Sequence, residues 1–553
     1  MRLSDFLSNY LYNFGVKSIY MLSGTGSIYL DDAFAHQSGM KFICARHEAA
    51  AVLMAEASAK LTGIIGVVIA TTGPGGTNAI GGVVEAWVDS VPILVISGQV
   101  NSSQISPKTR SYGVQGFNII ENVQNITKYA AQVSDSHLIR FHLEKAIHMA
   151  TTGRPGPVWL DIPFEVQSEK ISPDELVGFT PEDSIKKSNE DKVNEVTDIF
   201  LDSNKPLIVF GQGIRNACAI TEFKQMLEKL KIPSITARMG LDILPYSNPY
   251  FFGLGGMRGH RAPAVIMKEC DLIIALGTSV THAFAGDKYD QFNPMAKLVM
   301  INIDSHEMKK PGINADLAIE MGLKEFISIF IKNSNDHKID NKYSKWLKRC
   351  SDLKKNLPTV LSSYAVNPIN SYYFVECLNR HSKGNHIFVN DAGSANYICS
   401  QGLKLQTGQR EITSGAFYSM GVALPLAIGA AVAEPKSQII AITGDGSIEL
   451  NIQELRTMSQ NNLNIKLFVI NNGGYTSIRK SQEDIVGGRF TDDEKVLNFS
   501  NVANAFELSF RILDDHEKLD LLIPEILKVN GPELIEVVCD PKQEIIEPFK
   551  SDS

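Results

Sequence analysis

The chain has 553 residues, 44% of them hydrophobic and 21% charged, a composition that fits a globular protein of roughly three or four domains. A formal net charge of -8 gives no electrostatic reason to expect nucleic acid or an anionic membrane as a partner. Seven scattered cysteines without a CxxC pair imply neither a disulfide framework nor a structural zinc site.

The hydropathy pattern and the N-terminus carry no membrane or export signal. No uninterrupted apolar run is long enough to span a bilayer. The N-terminal segment MRLSDFLSNYLYNFGVKS lacks the basic and then apolar layout, and the small-residue cleavage site, of a secretory signal. We therefore expect a cytoplasmic protein with neither a membrane nor nucleic acid among its partners.

Short runs rich in Val, Ile and Leu recur along the chain, each ending in a small-residue turn before a helical pattern. This alternation is typical of parallel α/β sheets. The runs fall into three regions, 1–170, 190–335 and 365–545. They are IGVVIATTGPGG, VPILVISGQ and GPVWLDIP in the first region, PLIVFGQG, DLIIALGTS and KLVMINID in the second, and HIFVNDAG, QIIAITGDG, IKLFVINN and ELIEVVC in the third. We predict an α/β fold of three doubly wound parallel-sheet domains.

Two charged stretches separate these regions, PEDSIKKSNEDKVNE and KNSNDHKIDNKYSKWLKR. Because they contain few apolar residues that could order them against a core, we predict that both are linkers.

The third region contains two polar residues directly after predicted strands. Asp445 lies between Gly444 and Gly446, and Asn472 follows the run IKLFVIN. Ligands of open α/β sheets gather at the carboxyl ends of strands, so these two side chains can converge. Their oxygens, with phosphate oxygens, suit magnesium, and the glycines and the following helix suit a diphosphate. The alternative is an ordinary turn between a strand and a helix.

The chain resembles the thiamine diphosphate enzymes, and among them the acetolactate synthase group, over essentially its whole length. The resemblance rests on RHEAAAVLMAEASAKLTG and TTGPGGTNAIGGVVEAWVDSVPILVISGQV in the first region, and on FYSMGVALPLAIGA with the GDG and NN motifs in the third. It implies pyrimidine-binding, middle and diphosphate-binding domains in chain order. It also implies a Mg²⁺ ion held by Asp445, Asn472 and the backbone carbonyl of Gly474.

The resemblance assigns catalytic roles to the first domain. In such enzymes a glutamate hydrogen-bonds the aminopyrimidine ring and promotes loss of the thiazolium C2 proton, and the matching residue is Glu48. A glutamate is generally a solvated surface residue, but small and apolar residues flank this one. Gln115 matches a glutamine that faces the reacting centre, and Val114 stands where the group usually has phenylalanine. We interpret His47 and Arg46 as structural neighbours.

The resemblance also implies cofactor contacts. Met420 matches the bulky residue that wedges between the two cofactor rings, with a buried core methionine as the alternative. The other contacts implied for thiamine diphosphate are Gly24, Pro74, Asn78, Gly393, Ser394, Ala395, Gly444, Gly446, Ser447 and Tyr475. Because Glu48 and the metal ligands lie in different domains, the resemblance further implies an active site shared between the subunits of a homodimer or homotetramer.

The chain departs from the acetolactate synthase pattern after Asn472. Ser481 replaces a tryptophan that shapes the pocket for the second 2-oxo acid, and Ser477 replaces a usual methionine. The group's arginine for the acceptor carboxylate has no counterpart in GTSVTHAFAGDKYDQF. Pyruvate decarboxylases match poorly, because the first region lacks a His-His pair and Ile478 stands at their second catalytic glutamate. We interpret Arg479 as a surface residue, with a contact to an acceptor phosphate as the alternative.

Three functions follow, in order of preference. NNGGYTSIR resembles members of the group that act in branched-chain sugar biosynthesis. The first hypothesis is therefore a carboligase that decarboxylates a 2-oxo acid, expected to be pyruvate, and transfers the two-carbon unit to a larger ketone such as a nucleotide-linked ketosugar. The second is an acetolactate synthase catalytic subunit, which would have a regulatory small subunit as a partner. The third is a non-catalytic homologue, disfavoured because Glu48, Asp445 and Asn472 are all present.

The middle domain raises the question of a flavin. Acetolactate synthases bind FAD there without net redox use, and the loops GQGIRN, GMRGHRAP and VMINIDSHE resemble theirs. Asp304 would then face the adenosine or ribityl part. A vestigial domain without a nucleotide is the alternative, because the loop that usually carries the arginine has diverged.

Overall fold

The computed structural model describes residues 1–105, 108–181, 189–286, 295–335, 341–490 and 495–548. These residues form three six-stranded sheets in which every paired strand is parallel to its neighbour. The prediction of three parallel α/β units is therefore confirmed.

The first sheet has the strand order β2-β1-β3-β4-β6-β5. Its strands are β1 (Ser18–Met21), β2 (Lys41–Cys44), β3 (Gly66–Ala70), β4 (Ile93–Gln99), β5 (Tyr129–Gln132) and β6 (Val158–Pro163). Its helices are α1 (Leu3–Phe14), α2 (Ile28–Ala35), α3 (Glu48–Thr62), α4 (Pro74–Val88), α5 (Ile119–Val123), α6 (Ile139–Thr151) and α7 (Phe164–Ser168). The strand order reverses between β1 and β3, and ligands of doubly wound sheets bind at such a point.

The middle sheet reads β9-β8-β7-β10-β11-β12, which is the order of dinucleotide-binding folds. Its strands are β7 (Pro206–Phe210), β8 (Ser234–Thr236), β9 (Phe251–Leu254), β10 (Leu272–Leu276), β11 (Lys297–Asn302) and β12 (Leu317–Glu320). Its helices are α8 (Glu190–Asp202), α9 (Gly213–Asn216), α10 (Ile220–Leu230), α11 (Arg261–Glu269), α12 (His282–Ala285) and α13 (Leu323–Asn335), and α14 (Ser344–Asn356) follows. The order reverses between β7 and β10.

The third sheet, β14-β13-β15-β16-β18-β17, repeats the order of the first. Its strands are β13 (His386–Asn390), β14 (Arg410–Thr413), β15 (Gln438–Gly444), β16 (Ile465–Asn471), β17 (Ser509–Leu513) and β18 (Glu533–Val538). Its helices are α15 (Ser371–His381), α16 (Gly393–Gly402), α17 (Ala423–Ala433), α18 (Glu454–Gln460), α19 (Thr476–Val486), α20 (Phe499–Ala505) and α21 (Leu519–Lys528). Its reversal lies between β13 and β15.

The first and third sheets are joined by two helices that pack tightly. α17 is apolar around its whole circumference, as expected of a helix buried on all sides. It lies against α3, and a Cβ at Gly429 would come within 2.0 Å of the Met54 carbonyl oxygen, so this crossing requires glycine. The two domains of one chain therefore share a core.

The linker predictions are wrong where the chain is described. In the first stretch helix α8 begins at Glu190, and its buried Val193, Val196 and Phe200 pack in the core of the middle domain. The second stretch contains the end of α13 and the start of α14, whose Trp346 and Cys350 are buried. Sparse apolar residues at helical spacing are enough to order the described parts of both stretches.

No helix among the described residues is long and apolar enough to cross a membrane.

Candidate active site

One group of candidate residues lies at the carboxyl end of the first sheet. Glu48 begins α3, is 3% exposed, and its Oε2 accepts a hydrogen bond from Asn78 Nδ2 at 3.0 Å. A Cβ at Gly75 would lie 3.3 Å from the other carboxyl oxygen of Glu48. The prediction that this glutamate is shielded rather than a solvated surface residue is confirmed. We call this cluster, which also contains Gly24 and Gln115, the pyrimidine half.

The neighbouring loops close around Glu48 through glycine contacts. A Cβ at Gly73 would lie 2.3 Å from the carbonyl oxygen of Gln115, and a Cβ at Gly24 would lie 2.5 Å from the Thr71 hydroxyl. Gly73 and Gln115 both have positive φ angles, +61° and +63°. The loop that follows β4 is thereby pressed against the start of α4, directly after Gly73. Val114 is 88% exposed and contacts none of these groups through a hydrogen bond.

The residues beside Glu48 are structural, as the sequence predicts. His47 is the N-cap of α3, and its Nδ1 accepts the N–H of Ala49 at 3.2 Å. Arg46 reaches the third domain, where its N–H donates to Glu454 and its guanidinium donates to Gln460.

The predicted metal ligands converge at the carboxyl end of the third sheet. Asp445 Oδ2 accepts the backbone N–H groups of Asn472 at 3.0 Å and Gly474 at 2.8 Å, and Oδ1 accepts that of Gly446 at 2.8 Å. Burial raises the pKa of Asp445, and these backbone hydrogen bonds oppose the rise. Because the three donors are main-chain groups, the orientation of the carboxyl is set by the backbone.

This oxygen set fits magnesium. A carboxylate, the amide oxygen of Asn472 and the carbonyl of Gly474 are hard donors, and none is a soft ligand that would favour a transition metal. Among the described residues no cluster of three or more His, Cys, Asp or Glu side chains offers a competing metal site.

The surroundings of the metal ligands fit a diphosphate. Gly393 opens α16 with φ +64° and has open space where a Cβ would stand, so the helix start is accessible to an anion. Ser394 Oγ accepts a bond from Asn472 Nδ2 at 3.4 Å, and Gly446 lies directly under the Tyr475 ring. Ser447 follows Gly446 at the start of the next turn. We call this cluster, with Gly444, Asp445, Asn472 and Gly474, the diphosphate half.

The positions of three residues change how their predicted roles are interpreted. Ala395 is buried in the core, so only its backbone can face a cofactor. Met420 is 39% exposed, which contradicts the alternative of a buried core methionine. Arg479 is buried, and its Nη1 donates to the Gly473 carbonyl at 2.5 Å. The interpretation of Arg479 as a surface residue is therefore wrong, because it is buried against the loop that carries the predicted metal ligands.

Sequence reasoning missed the residue that connects the segments of the diphosphate half. Asp391 is completely buried, and burial raises its pKa. Its carboxyl accepts the backbone N–H of Gly421 at 2.8 Å and of Ala423 at 3.1 Å, and the Thr443 hydroxyl at 2.9 Å. It thus joins the loop that contains Met420, which we call the Met420 loop, to β15. The available signal was a second aspartate that directly follows a buried strand, as Asp445 does.

Glu48 and the Met420 loop contact different ends of α4 within one chain. Asn78, the partner of Glu48, lies seven residues before Glu85 on α4, a rise of about 10 Å along the helix. Glu85 contacts Ser419, the neighbour of Met420, at 2.7 Å. The contact of Glu48 with Asn78 and the contact of Ser419 with Glu85 therefore lie about two helical turns apart along α4.

A cavity of about 1190 Å³ lies where the strand order of the middle domain reverses, and residues of the first and third domains also line it. The loops after β7 and β10 meet there, since the Gly213 N–H donates to the Gly277 carbonyl at 3.0 Å. All three predicted flavin loops line the cavity, with Met257 and Asp304 among the lining residues. Asp304 forms an ion pair with Arg154 of the first domain at 3.1 Å.

The structure describes part of the segments in which the chain departs from the acetolactate synthase pattern. Ser481 is exposed on α19, and its hydroxyl donates to the Ser477 carbonyl at 3.0 Å, while Ile478 is 51% exposed. The segment in which the acceptor-binding arginine is missing continues into residues 287–292, which lie outside the described part of the chain.

Comparisons with known proteins agree with this geometry. Residues 1–127 match the family described as thiamine pyrophosphate enzyme, N-terminal TPP binding domain. Residues 193–329 match the central domain of the same enzymes, and residues 391–537 match their C-terminal TPP binding domain.

Relatives similar to this chain are acetolactate synthase large subunits. The isozyme 1 large subunit of Escherichia coli is 27% identical over 560 residues, covering 98% of this chain and 94% of the relative. The large subunit of Lactococcus lactis is 29% identical over 96% of this chain and 91% of its own length. The large subunit of Cyanidium caldarium is 30% identical over 97% of this chain and 94% of its own length.

Proposed function

The chain belongs to the thiamine pyrophosphate (thiamine diphosphate) enzymes, in their acetolactate synthase group, and on that premise we propose that it joins two 2-oxo acid molecules with loss of carbon dioxide. The donor is pyruvate, and the acceptor is a second 2-oxo acid. The observation that carries the proposal is the convergence of Asp445, Asn472 and Gly474 at one sheet edge in a chain whose relatives are acetolactate synthases.

The bound cofactor supplies a nucleophilic carbon and an electron sink for decarboxylation. The chain's residues hold and orient it. Asp445, Asn472 and the Gly474 carbonyl would hold Mg²⁺ against the diphosphate, and the N–H groups at the start of α16 would neutralise the remaining charge. Glu48, fixed by Asn78, would bond the aminopyrimidine and hold the proton that moves during activation.

We propose a homodimer or larger homo-oligomer in which each site combines the pyrimidine half of one subunit with the diphosphate half of another. The separation of the halves along α4 supports this arrangement. So does the exposure of apolar side chains beside both halves, with Val114 at 88% and Met420 at 39%. A second copy of the chain would cover these groups and exclude water from the reacting centre.

We propose FAD, or another flavin dinucleotide, as the occupant of the middle-domain cavity. The dinucleotide-type strand order, the meeting of two glycine loops at the reversal point and the volume of about 1190 Å³ support it. Absorbance of the purified protein in the flavin region, and release of the chromophore on denaturation, tests this assignment.

The ketone larger than pyruvate remains a second candidate for the acceptor. The names of the relatives favour the 2-oxo acid, so the order of the two hypotheses from the sequence is reversed. The larger ketone is supported by one observation, the exposed Ser481 at a position where the group usually carries tryptophan.

Mass spectrometry of products distinguishes the two acceptors. The enzyme is supplied with thiamine diphosphate, Mg²⁺ and pyruvate, with and without a panel of ketones. We expect acetolactate from pyruvate alone, at a rate that the ketones do not change. A mixed product that forms at the expense of acetolactate would establish the larger acceptor instead. Absence of any pyruvate consumption would contradict both.

A further inference from the structure

Four buried charged side chains form a cluster between α3 and α4, outside the two halves of the cofactor site. They are Glu56 and Lys60 on α3, Glu85 on α4, and Asp89, which directly follows α4. Lys60 Nζ lies 2.5 Å from a Glu56 oxygen and 2.8 Å from an Asp89 oxygen. The cluster holds three carboxyl groups and one ammonium group, so it is not charge-balanced. Burial raises the pKa of Glu56 to about 8 and also raises that of Glu85.

Three side chains of this cluster, Lys60, Glu85 and Asp89, form hydrogen bonds with one segment of the third domain, residues 413–420, and the Lys60 carbonyl also accepts a bond from Arg410. Lys60 Nζ donates to the Thr413 carbonyl at 2.9 Å, and the Asp89 carboxyl accepts the Gly415 N–H at 3.0 Å. At the far end of the loop the Ser419 hydroxyl donates to the carboxyl of Glu85 at 2.7 Å. The first domain therefore holds this loop at three points along its length.

The loop ends at Met420, which is held from both sides. On one side Ser419 is bound by Glu85 of the first domain. On the other side the Gly421 N–H donates to Asp391 of the third domain at 2.8 Å. Tyr418, two residues before Met420, has a φ of +56°, a strained value for a residue other than glycine that the surroundings must impose.

Stability alone does not explain a buried carboxyl at position 85. An apolar pair of similar volume would fill the same space without the cost of burying a charge. What a hydrogen-bonded carboxyl adds is a defined position for its partner. Glu85 lies on α4, whose first turn supports Glu48, so the same helix supports the pyrimidine half and the Met420 loop of one chain, which belong to two different sites in the proposed oligomer.

We propose that Glu85 is a positioning residue that acts through Ser419 to place Met420 against the cofactor. The inference rests on the proposed function, since Met420 is the residue expected to keep the two cofactor rings bent towards each other. Glu85 touches neither substrate nor cofactor. Its effect is on the geometry of the bound cofactor and not on recognition of pyruvate.

The test uses the full-length protein and four variants, Glu85→Ala, Glu85→Gln, Ser419→Ala and the double variant Glu85→Ala/Ser419→Ala. Because glutamine can still accept the Ser419 hydroxyl, Glu85→Gln is the conservative rescue. Glu195→Gln, an exposed glutamate on α8, is the matched control. Ser419→Ala removes the same hydrogen bond from its exposed end, so the test survives if Glu85→Ala folds poorly.

We expect Glu85→Ala and Ser419→Ala each to lower kcat about 10-fold or more while the KM for pyruvate stays within about twofold, as for an interaction that matters after binding. The double variant should be no less active than the less active of the two single variants, because all three variants remove the same hydrogen bond. Hydrogen exchange of the apo protein should become about 10-fold faster in the peptide that covers residues 413–423. Glu85→Gln and Glu195→Gln should stay close to wild type in both measurements.

Two results would overturn the proposal. One is an unchanged kcat in Ser419→Ala, and the other is a loss in the double variant equal to the product of the single losses. Failure of the proposed function is separate. A wild-type protein that shows no thermal shift with thiamine diphosphate and Mg²⁺ and consumes no pyruvate would reject both, whereas an active wild type with unaffected variants would reject only the role of Glu85.

Discussion

The pyrimidine half and the diphosphate half lie on sheets of the same strand order, yet they are held together in different ways. In the diphosphate half a carboxyl at the end of one strand accepts main-chain N–H groups from the next loop, as Asp445 does from Asn472 and Gly474. In the pyrimidine half the loops are held by close glycine contacts, with Gly73 against Gln115 and Gly24 against Thr71. Hydrogen bonds to one carboxyl organise the diphosphate half, whereas the pyrimidine half combines the hydrogen bonds of Glu48 and Asp31 with close glycine contacts.

This difference has a consequence for assembly. The hydrogen bonds that orient Asp445 in the diphosphate half come from residues of the third domain itself. In the pyrimidine half Glu48 contacts the first turns of α4, whereas the Met420 loop of the same chain contacts its last turn. Neither half is a catalytic site alone, so the arrangement in one chain favours exchange of halves between two chains.

The largest predicted effect comes from disabling each half in a separate variant. Glu48→Gln and Asp445→Asn should each lower kcat by at least about 100-fold, because one removes the proton-holding carboxyl and the other the anionic metal ligand. When the two variants are co-expressed, activity should recover to about a quarter of wild type, since half of the dimers pair one intact site with one doubly defective site. The measurement is the rate of pyruvate consumption.

Each variant expressed with itself is the control for this recovery. If mixing restores no activity although both variants fold and form dimers, the two halves act within one chain and the comparison above is wrong.

The next effect tests the support of the diphosphate half from outside. Hydrogen bonds of the buried His260 join the middle domain to Gln401 of α16. His260 Nδ1 accepts the Leu254 N–H, and Nε2 donates to the Gln401 carbonyl at 2.7 Å. Burial lowers the pKa of His260 from 6.5 to about 4. As the pH falls, the unfolded chain therefore takes up this proton before the folded protein does.

Stability from His260 is thus present above about pH 6.5 and is lost as the pH falls towards 4, by about 3 kcal/mol in total. We expect His260→Gln to have a lower free energy of unfolding than wild type at pH 7.5. Between pH 7.5 and pH 5 this free energy should fall less in the variant than in wild type, as measured by urea unfolding. His137→Gln, an exposed histidine, should keep the wild-type pH dependence. An unchanged pH dependence in His260→Gln would contradict the assignment.

A smaller effect tests the steric fit of the pyrimidine half. Gly73→Ala places a methyl group about 2.3 Å from the Gln115 carbonyl at a φ of +61°, so the Gln115 loop must move. We expect kcat/KM for pyruvate to fall about 10-fold to 100-fold, the usual result of displacing a reacting group by about 1 Å.

Gly81→Ala on the same helix is the matched control, because nothing lies within 4 Å of its Cβ position. This change should leave kcat/KM unaltered and stabilise α4 by up to about 1 kcal/mol. Equal activity in the two variants would show that the Gln115 loop lies outside the site.

The smallest effect concerns a carboxyl that supports the Gly24 loop. Asp31 Oδ2 accepts the Gly24 N–H and the Ser27 hydroxyl, each at 3.2 Å, and burial raises the pKa of Asp31 to about 6. The folded protein binds this proton more tightly than the unfolded chain. The contribution to stability is therefore fully present below about pH 3.8 and is lost as the pH rises through 6, opposite in sign to that of His260.

Asp31→Asn keeps the acceptor oxygen and removes the buried charge. We expect it to stabilise the protein by about 1 kcal/mol at pH 8 and by less at pH 5, as measured from the urea midpoint. Asp174→Asn at an exposed site should change neither value. A destabilised Asp31→Asn at pH 8 would mean that the charged form is the one the loop requires.

The local patterns of the chain were sufficient to predict much of this molecule. Short apolar runs before small-residue turns located the central strands of all three sheets, because a strand buried on both faces requires a continuous apolar segment. The same reasoning placed Asp445 and Asn472 at one sheet edge. Short strands, such as β5, β8 and β14, were not predicted, because three or four residues are too few to establish a hydrophobic pattern.

Other features depend on contacts between distant segments, which only the tertiary structure decided. Asp391 binds Gly421 and Thr443, and Glu85 binds Ser419, which is 334 residues away along the chain. A single aspartate or glutamate has the same local signature whether it is solvated or buried, since periodicity reports the environment of a helix face and not the partner of one side chain. The sequence by itself determined which sheet ends carry chemistry, and packing determined which residues hold those ends in place.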